Sequence, residues 1–402
     1  MGLPGRAQTI LTTPNLLSNL GPVTKTATPP ITLPQNLLPS DGRFGSGPSK
    51  VRQDAMRALS DAAPLYMGTN HRRPGVRSVV HRVREGLATL FSLPAGYEVL
   101  LGNGGSTLFW DAAAFGLVER RAQHLVCGEF SSKFASVTRA APHLDDPEVI
   151  ESPPGTAPVA VANPDVDVYA FPHNETSTGV MLPVGRPEGT RGGSGLVVVD
   201  GTSGAGGLRV DPGQFDVYYF APQKCFAGDG GLWLALCSPA AIERIQRIAA
   251  TDRWVPPSLD LGIAVEQSRL DQTYNTPALA TLFLLADQVE WMLGHGGLEW
   301  TAARCDESAA TIYSWADAGS LTTPFVTDPA LRSHVTATID FDTSVDAPAL
   351  AAALRANGII DVEPYRKLGR NQLRVGLFPV IEPADVAVLT RAVDYIAERL
   401  AG

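Results

Sequence analysis

A mostly parallel β-sheet sandwiched between helices, with a smaller α+β unit after it, is the fold class predicted for this 402-residue α/β chain. Three observations predict it. Short runs rich in Val, Leu, Tyr and Phe at 98–101, 123–126, 168–171, 196–199 and 217–220 alternate with helical stretches such as 107–120. Hydrophobic residues make up 44% of the chain and charged residues 18%, enough apolar material for one large core or two adjoining ones. Late in the chain the pattern becomes strand 335–341, helix 347–357 stopped by Gly358, strand 372–378 and helix 383–400, with Pro383 suited to a first helical turn.

Taken in order, residues 1–40 carry Pro29, Pro30, Pro34 and Pro39 among Thr, Leu and Asn, and read as a loosely ordered tail. From Asp41 the text is globular. Residues 41–300 form the expected large domain, and a long amphipathic helix at 276–294 followed by another at 299–318 leads into a small domain, 301–402. No internal repeat of 20 to 50 residues is found.

Several classes are excluded. The longest apolar run, about 277–286, is stopped by Asp287 and falls short of the roughly 20 residues a membrane-spanning helix needs. The amino terminus lacks the basic start and continuous apolar stretch of a secretory signal, so a cytoplasmic location is expected. Cys127, Cys225, Cys237 and Cys305 lie far apart with no C-x-x-C pair, which argues for buried, reduced thiols and against a metal cage. A net charge of −9 disfavours a nucleic-acid surface. An anionic ligand must then be held by a few local cations.

Two strand ends carry candidate chemistry. The run 196–199 ends in Asp200, and the run 217–220 leads through Ala221, Pro222 and Gln223 to Lys224. In open α/β sheets ligands bind beyond the carboxyl ends of the strands. A lysine delivered there into apolar surroundings is a candidate for Schiff-base chemistry, although strand-end Asp is commonly a cap and most lysines are solvated. Together the pair meets the needs of pyridoxal phosphate, a lysine for its aldehyde and an acid for its ring nitrogen. The run Gly102-Asn103-Gly104-Gly105-Ser106-Thr107 follows a strand and opens a helix, which presents free amides and the positive helix end to a phosphate.

These segments resemble the phosphoserine aminotransferases, a class V, fold-type I family of pyridoxal-phosphate enzymes. The resemblance runs from about Asp41 to the carboxyl terminus. It rests on Gly45-Ser46-Gly47-Pro48-Ser49, Asn70-His71-Arg72, His173-Asn174-Glu175-Thr176-Ser177-Thr178-Gly179, Asp200-Gly201-Thr202-Ser203, Ala221-Pro222-Gln223-Lys224 and Tyr274-Asn275-Thr276-Pro277. It implies that Lys224 forms the Schiff base and Asp200 pairs with the pyridine nitrogen. Thr176 would contact the 3-hydroxyl oxygen, and Phe130 would stack on the ring or simply be a core aromatic. Gly105, Ser106 and Gln223 would hold the phosphate, joined by Asn275 and Thr276 from the other subunit of a homodimer with shared active sites.

Substrate recognition is expected from cations. Arg374 sits in a strand-like run where an unpaired charge is costly, and by resemblance it binds the substrate α-carboxylate. His71 and Arg72 would bind the substrate phosphate, across the dimer interface. Ser106 stands where many relatives have Arg, and Leu368-Gly369-Arg370 replaces a His-Arg pair, so the sequence leaves open which of Arg366, Lys367 and Arg370 reaches that phosphate. The implied reaction is a reversible transamination in which glutamate and 3-phosphohydroxypyruvate give 2-oxoglutarate and phosphoserine, with a vitamin B6 precursor, phosphorylated hydroxythreonine, as a further substrate by analogy. Alternatives on the same fold are an alanine–glyoxylate-type aminotransferase and a cysteine desulfurase. The first leaves His71 and Arg72 without a phosphate, and the second needs a mobile late cysteine where Cys305 reads as helical. A non-enzymatic binding module would have no need of Lys224.

Overall fold

The computed structural model describes residues 31–188 and 195–401. Residues 1–30 of the expected tail lie outside the described residues. Helices α1 (Gln53–Tyr66) and α2 (Pro74–Leu90) precede β1 (Glu98–Asn103), α3 (Ser106–Gly116), β2 (Ala122–Val126), α4 (Glu129–Ala140) and β3 (Glu148–Glu151). Then come β4 (Val168–Pro172), the short β5 (Asn174–Glu175) and β6 (Val180–Met181), β7 (Leu196–Asp200), β8 (Val217–Phe220) and β9 (Leu232–Cys237). Helices α5 (Pro239–Ala249), α6 (Leu261–Arg269), α7 (Leu279–Gly294) and α8 (Gly297–Ala318) follow, then β10 (Thr322–Pro324), β11 (Thr336–Phe341), α9 (Ala347–Ala356), β12 (Gln372–Gly376) and α10 (Pro383–Ala401).

Seven strands form one sheet in the order β1-β9-β8-β7-β4-β2-β3, with only β9 antiparallel to its neighbours. Alternate residues face opposite sides. Val99, Leu101, Val197, Val199, Tyr218 and Phe220 enter one apolar core, while Leu100, Val168, Val198, Val217 and Tyr219 enter the other. A sheet covered on both faces needs apolar residues at every position, which is why its strands read as continuous apolar runs. Since β9 reverses direction between β8 and β1, the carboxyl ends of β1, β4, β7 and β8 all lie on one edge.

A second, antiparallel sheet β10-β11-β12 packs with α8, α9 and α10 around Ile312, Ala337, Ile339, Leu350, Leu373, Val375 and Leu389. Two contacts dock it beside the large sheet's working edge. The Thr338 hydroxyl donates to the Thr178 carbonyl at 2.9 Å, and the Ser333 amide donates to the Gly179 carbonyl at 3.0 Å. Gly179 has φ 72°, and a Cβ there would meet Thr338 Oγ1 at 2.7 Å, so the close approach requires glycine.

Residues 31–40 correct the expectation of a loose tail up to 40. Leu33 is buried, and Ile31, Leu37 and Leu38 pack on the core around β11 and β12. The Leu33 amide donates to Asn357 Oδ1 at 2.9 Å, while Asp385 accepts from the Ser40 amide and hydroxyl, both at 2.7 Å. Four aliphatic side chains outweigh the local proline content. The chain then runs past Phe44, whose carbonyl accepts from the Gly376 amide at 2.7 Å, to Ser49, whose amide donates to the Gln223 carbonyl at 2.8 Å. One strap thus ties β12 to the Lys224 loop. Asp385→Ala should lower stability by roughly 2 kcal/mol, because a charged acceptor of two hydrogen bonds is lost, and should expose residues 31–40 to proteolysis. Equilibrium urea unfolding and timed digestion check both effects.

Candidate active site

The strand ends converge on a cavity of about 240 Å³ lined by Gly104, Gly105, Ser106, Thr107, Trp110, Phe130, Pro172, Asn174, Thr176, Asp200, Thr202, Ser203, Gln223 and Lys224. Seven of the residues singled out in the sequence meet there: Gly105, Ser106, Phe130, Thr176, Asp200, Gln223 and Lys224. Asp200 ends β7. Its Oδ1 accepts from the Thr202 amide at 2.8 Å, and burial pushes its carboxyl pKa up against these hydrogen bonds. Ser106 opens α3, and its hydroxyl accepts from Thr202 Oγ1 at 2.7 Å. The first amides of α3 have no intrahelical acceptor and sit at the positive end of the helix dipole.

Lys224 is enclosed by protein except where it lines the cavity. Its Nζ donates to the Ser46 carbonyl at 2.8 Å. Gly47, at φ 134°, lies so close that an added Cβ would come 1.9 Å from Nζ. Loss of hydration, reinforced by Arg374, brings the amine from the ordinary 10.5 down to about 8, while Asp200 and Glu175 act in the opposite direction. Arg374, on β12, donates from Nη1 to the Thr176 carbonyl at 3.2 Å, and its guanidinium lies 5.2 Å from the centre of the Tyr365 ring.

Glu175 is a fully buried carboxylate that accepts from the amides of Phe130 (3.4 Å), Ser131 (2.9 Å) and Ser177 (3.2 Å) and from the hydroxyls of Ser131 (2.9 Å) and Ser177 (2.6 Å). A negative charge at the amino end of α4 is favourable. It fixes the turn that carries Phe130 into the cavity. The sequence reading names the Glu175 segment but not this role, nor the cavity positions of Trp110, Asn174 and Ser203. Trp110 could have been found, because it lies four residues after Ser106 and so on the same face of α3.

A second cluster lies apart from the Lys224 cavity. The Asn103 side chain donates to the carbonyls of Asn275 at 3.2 Å and Thr276 at 3.1 Å, Thr276 Oγ1 is 3.2 Å from His71 Nδ1, and Arg72 Nη2 donates to the Tyr274 carbonyl at 3.1 Å. Asn275 and Thr276 are exposed, and His71 Nε2 is buried with no partner among the described residues. Of the three late cations, Arg370 is held by both oxygens of Asp340 and lies over the Phe325 ring at 4.6 Å. Lys367 pairs with Glu129. Arg366 is exposed and has no ion pair among the described residues.

The cavity suits pyridoxal phosphate by its own chemistry. Gln223 Oε1 and Asn174 Oδ1 are buried in its wall without partners among the described residues, a helix amino terminus faces it, and amine and carboxylate line it together. Among the described residues no group of His, Cys, Asp or Glu can hold a metal ion. No described helix is long and apolar enough to cross a membrane.

Residues 154–362 match the family model of the aminotransferases of class V, the class that this fold and cavity define. A phosphoserine aminotransferase of Rhodococcus jostii is 57% identical over 375 residues, covering 93% of this chain and 100% of the relative. A Mycobacterium leprae chain given the same name provisionally is 60% identical over 373 residues, 93% of this chain and 99% of the relative. The crystal structure of a phosphoserine aminotransferase from Cytophaga hutchinsonii superposes with a TM-score of 0.78 at 24% identity, covering 88% of this chain and 99% of the other. The chain belongs to the phosphoserine aminotransferase family.

Burying an amine of depressed pKa costs stability while both folded and unfolded states are protonated, below about pH 8. Between about 8 and the ordinary 10.5 the unfolded chain binds a proton that the folded one does not, so stability rises with pH. Lys224→Met should therefore stabilise the cofactor-free protein at pH 7 by about 1–3 kcal/mol, after allowing for water in the cavity. The gain should shrink as pH rises through that window. Urea unfolding at pH 7 and pH 9.5 measures it, and a gain independent of pH would contradict the assigned cause.

Proposed function

We propose that this chain is a pyridoxal-phosphate-dependent phosphoserine aminotransferase, acting reversibly between glutamate with 3-phosphohydroxypyruvate and 2-oxoglutarate with phosphoserine. The observation that carries the reading is the single cavity holding Lys224, Asp200 and the amino terminus of α3. The bound cofactor would supply an aldehyde that accepts an amino group and a ring that takes up electron density from the substrate Cα. Lys224 is the amine to which the cofactor attaches, and when displaced by substrate it carries the proton from Cα. An amine with a pKa of about 8 exchanges that proton near neutrality far more readily than an ordinary lysine.

Asp200 would pair with the ring nitrogen of the bound cofactor and keep it protonated. Phe130 would cover one ring face, Thr176 would meet the 3-hydroxyl oxygen, and Gly105, Ser106 and Gln223 would hold the phosphate. Arg374 binds the α-carboxylate that amino donor and acceptor share, its planar fork matching two carboxylate oxygens. Tyr365 supports it from beneath. Of the three late cations, Arg366 is the one left without an ion pair among the described residues, and it would reach a substrate phosphate. Cys305, buried within α8 and with its thiol pushed up by burial, lacks the exposed thiolate that desulfuration requires.

The protein works as a homodimer in the cytoplasm. Support for the dimer comes from the second cluster, where His71, Arg72, Asn275 and Thr276 converge away from their own Lys224. Next to it Leu65, Met67, Leu270 and Tyr274 are exposed at 88%, 41%, 51% and 50%, an apolar surface that association would cover. In the dimer this cluster completes the partner's site, with His71 and Arg72 on the substrate phosphate. The phosphorylated hydroxythreonine precursor of vitamin B6 shares the groups that these residues recognise and is proposed as a second substrate.

Adding single amino acids to the loaded enzyme and following the visible spectrum tests the substrate. Phosphoserine and glutamate should convert the cofactor, and a response to alanine with none to phosphoserine would overturn the assignment. Arg374→Ala should slow both half-reactions by about ten- to a hundredfold, the worth of a charge-assisted contact of roughly 1.5–3 kcal/mol. Arg72→Ala should slow the phosphoserine half-reaction more than the glutamate one.

Mixing a Lys224→Ala subunit with an Asn275→Ala/Thr276→Ala subunit, by co-expression, places both defects in one site and leaves the other intact. Such heterodimers should regain up to about half of the wild-type activity. No recovery above the weaker parent would place residues 275 and 276 in their own chain's site.

A further inference from the structure

The Asp200 carboxylate is held on two sides. Oδ1 takes the Thr202 amide at the cavity mouth, whereas Oδ2 faces inward, 3.4 Å from the indole Nε1 of Trp110. That same indole N–H lies 2.9 Å from the hydroxyl oxygen of Tyr219, which adjoins the Asp200 side chain and favours its ionised form. Tyr219 is the register partner of Asp200 on the neighbouring strand and is fully buried, its ring stacked on Phe109 at 4.5 Å and edge-on to Phe134 at 6.1 Å.

Donor and acceptor rules then orient the protons. An indole N–H can only donate, so it occupies a lone pair of the phenol oxygen. The phenol proton is then left to turn toward the carboxylate of Asp200, its register neighbour.

We propose that Trp110 and Tyr219 are positioning residues for the reaction, a buried pair of donors that keeps Asp200 ionised and aimed into the cavity at the ring nitrogen of the cofactor. The proposal rests on the reading of Asp200 given above. Burial by itself favours the neutral carboxyl, which could not hold a ring proton. Donors on both oxygens oppose that tendency, and their attachment to the turn after β7, to β8 and to α3 fixes the plane of the carboxylate. Burial holds the Tyr219 hydroxyl well above its ordinary pKa, so it stays a donor throughout the working range.

The experiment compares wild type, Tyr219→Phe, Trp110→Phe, the double variant and Asp200→Asn, each stripped of cofactor and titrated with pyridoxal phosphate. Dissociation constants come from quenching of protein fluorescence, and absorption spectra are recorded at saturation. Each single replacement keeps an aromatic ring, and in each the remaining donor still reaches Asp200, so the singles should weaken cofactor binding only a fewfold. The double variant removes both inward donors and should weaken it by about tenfold or more, a loss on the scale of a hydrogen bond to a charged group. Its bound-cofactor spectrum should move in the same direction as that of Asp200→Asn.

A purely structural role would lower the thermal stability of the cofactor-free protein without moving that spectrum, and would overturn the proposal. So would a double variant that binds cofactor as wild type does. If Asp200→Asn itself binds cofactor normally, the reading of Asp200 fails. Should the double variant not fold, a spectrum unchanged in the folded Tyr219→Phe and Trp110→Phe variants overturns the proposal, and a shift in either toward that of Asp200→Asn supports it.

Discussion

A primary amine largely enclosed by protein and acted on by a nearby guanidinium is the constraint on which the rest of this molecule depends. Lys224 and Arg374 come from different sheets, and the charge of Arg374 presses the amine toward its neutral form. Bringing them together is unfavourable unless the surrounding structure compels it. The compulsion comes from the strap through Ser46 and Gly47, whose carbonyl and missing side chain leave Nζ one place to go. It comes as well from the contacts of Thr338 and Ser333 with the 178–179 turn, which hold β12 against the large sheet. The result is an amine poised to lose its proton, next to a cation poised to hold an anionic substrate.

Two buried carboxylates balance these cations, and they do different work. Glu175 is saturated by donors from its own turn and from the first turn of α4, so its charge is spent on architecture that carries Phe130. Asp200 keeps an edge open to the cavity. Two carboxylates near enough to feel each other's charge are thus assigned to scaffold and to chemistry by the number of donors each meets. The same logic separates the late arginines. Arg370 is neutralised by Asp340, whereas Arg374 has a carbonyl, an aromatic face and a buried Nε without a partner among the described residues.

What the sequence reveals follows from which forces are local. The parallel strands are legible because a sheet covered on both faces must be apolar throughout, and Asp200 and Lys224 are legible because polar residues at the ends of such runs need a reason. Strand β9, the run Leu232–Cys237, is absent from the strands read in the sequence, since a continuous apolar run does not declare its secondary structure. The docking of residues 31–40 escapes a local reading because it depends on Asn357 and Asp385, more than 300 residues away in the chain. The inward donors on Asp200 escape it too, since Tyr219 reads as one more apolar strand position. Only the register between β7 and β8 puts its hydroxyl beside a carboxylate.

The central claim, that protein enclosure turns this one lysine into the reactive amine, is tested most directly by trapping. Cofactor-free protein is mixed with pyridoxal phosphate at a series of pH values, reduced with borohydride at short times and digested for mass mapping. Labelling confined to Lys224, with an initial rate half-maximal near pH 8, is the predicted result. Label on another lysine such as Lys133, or a rate at Lys224 that keeps climbing toward the ordinary lysine value of 10.5, would contradict it.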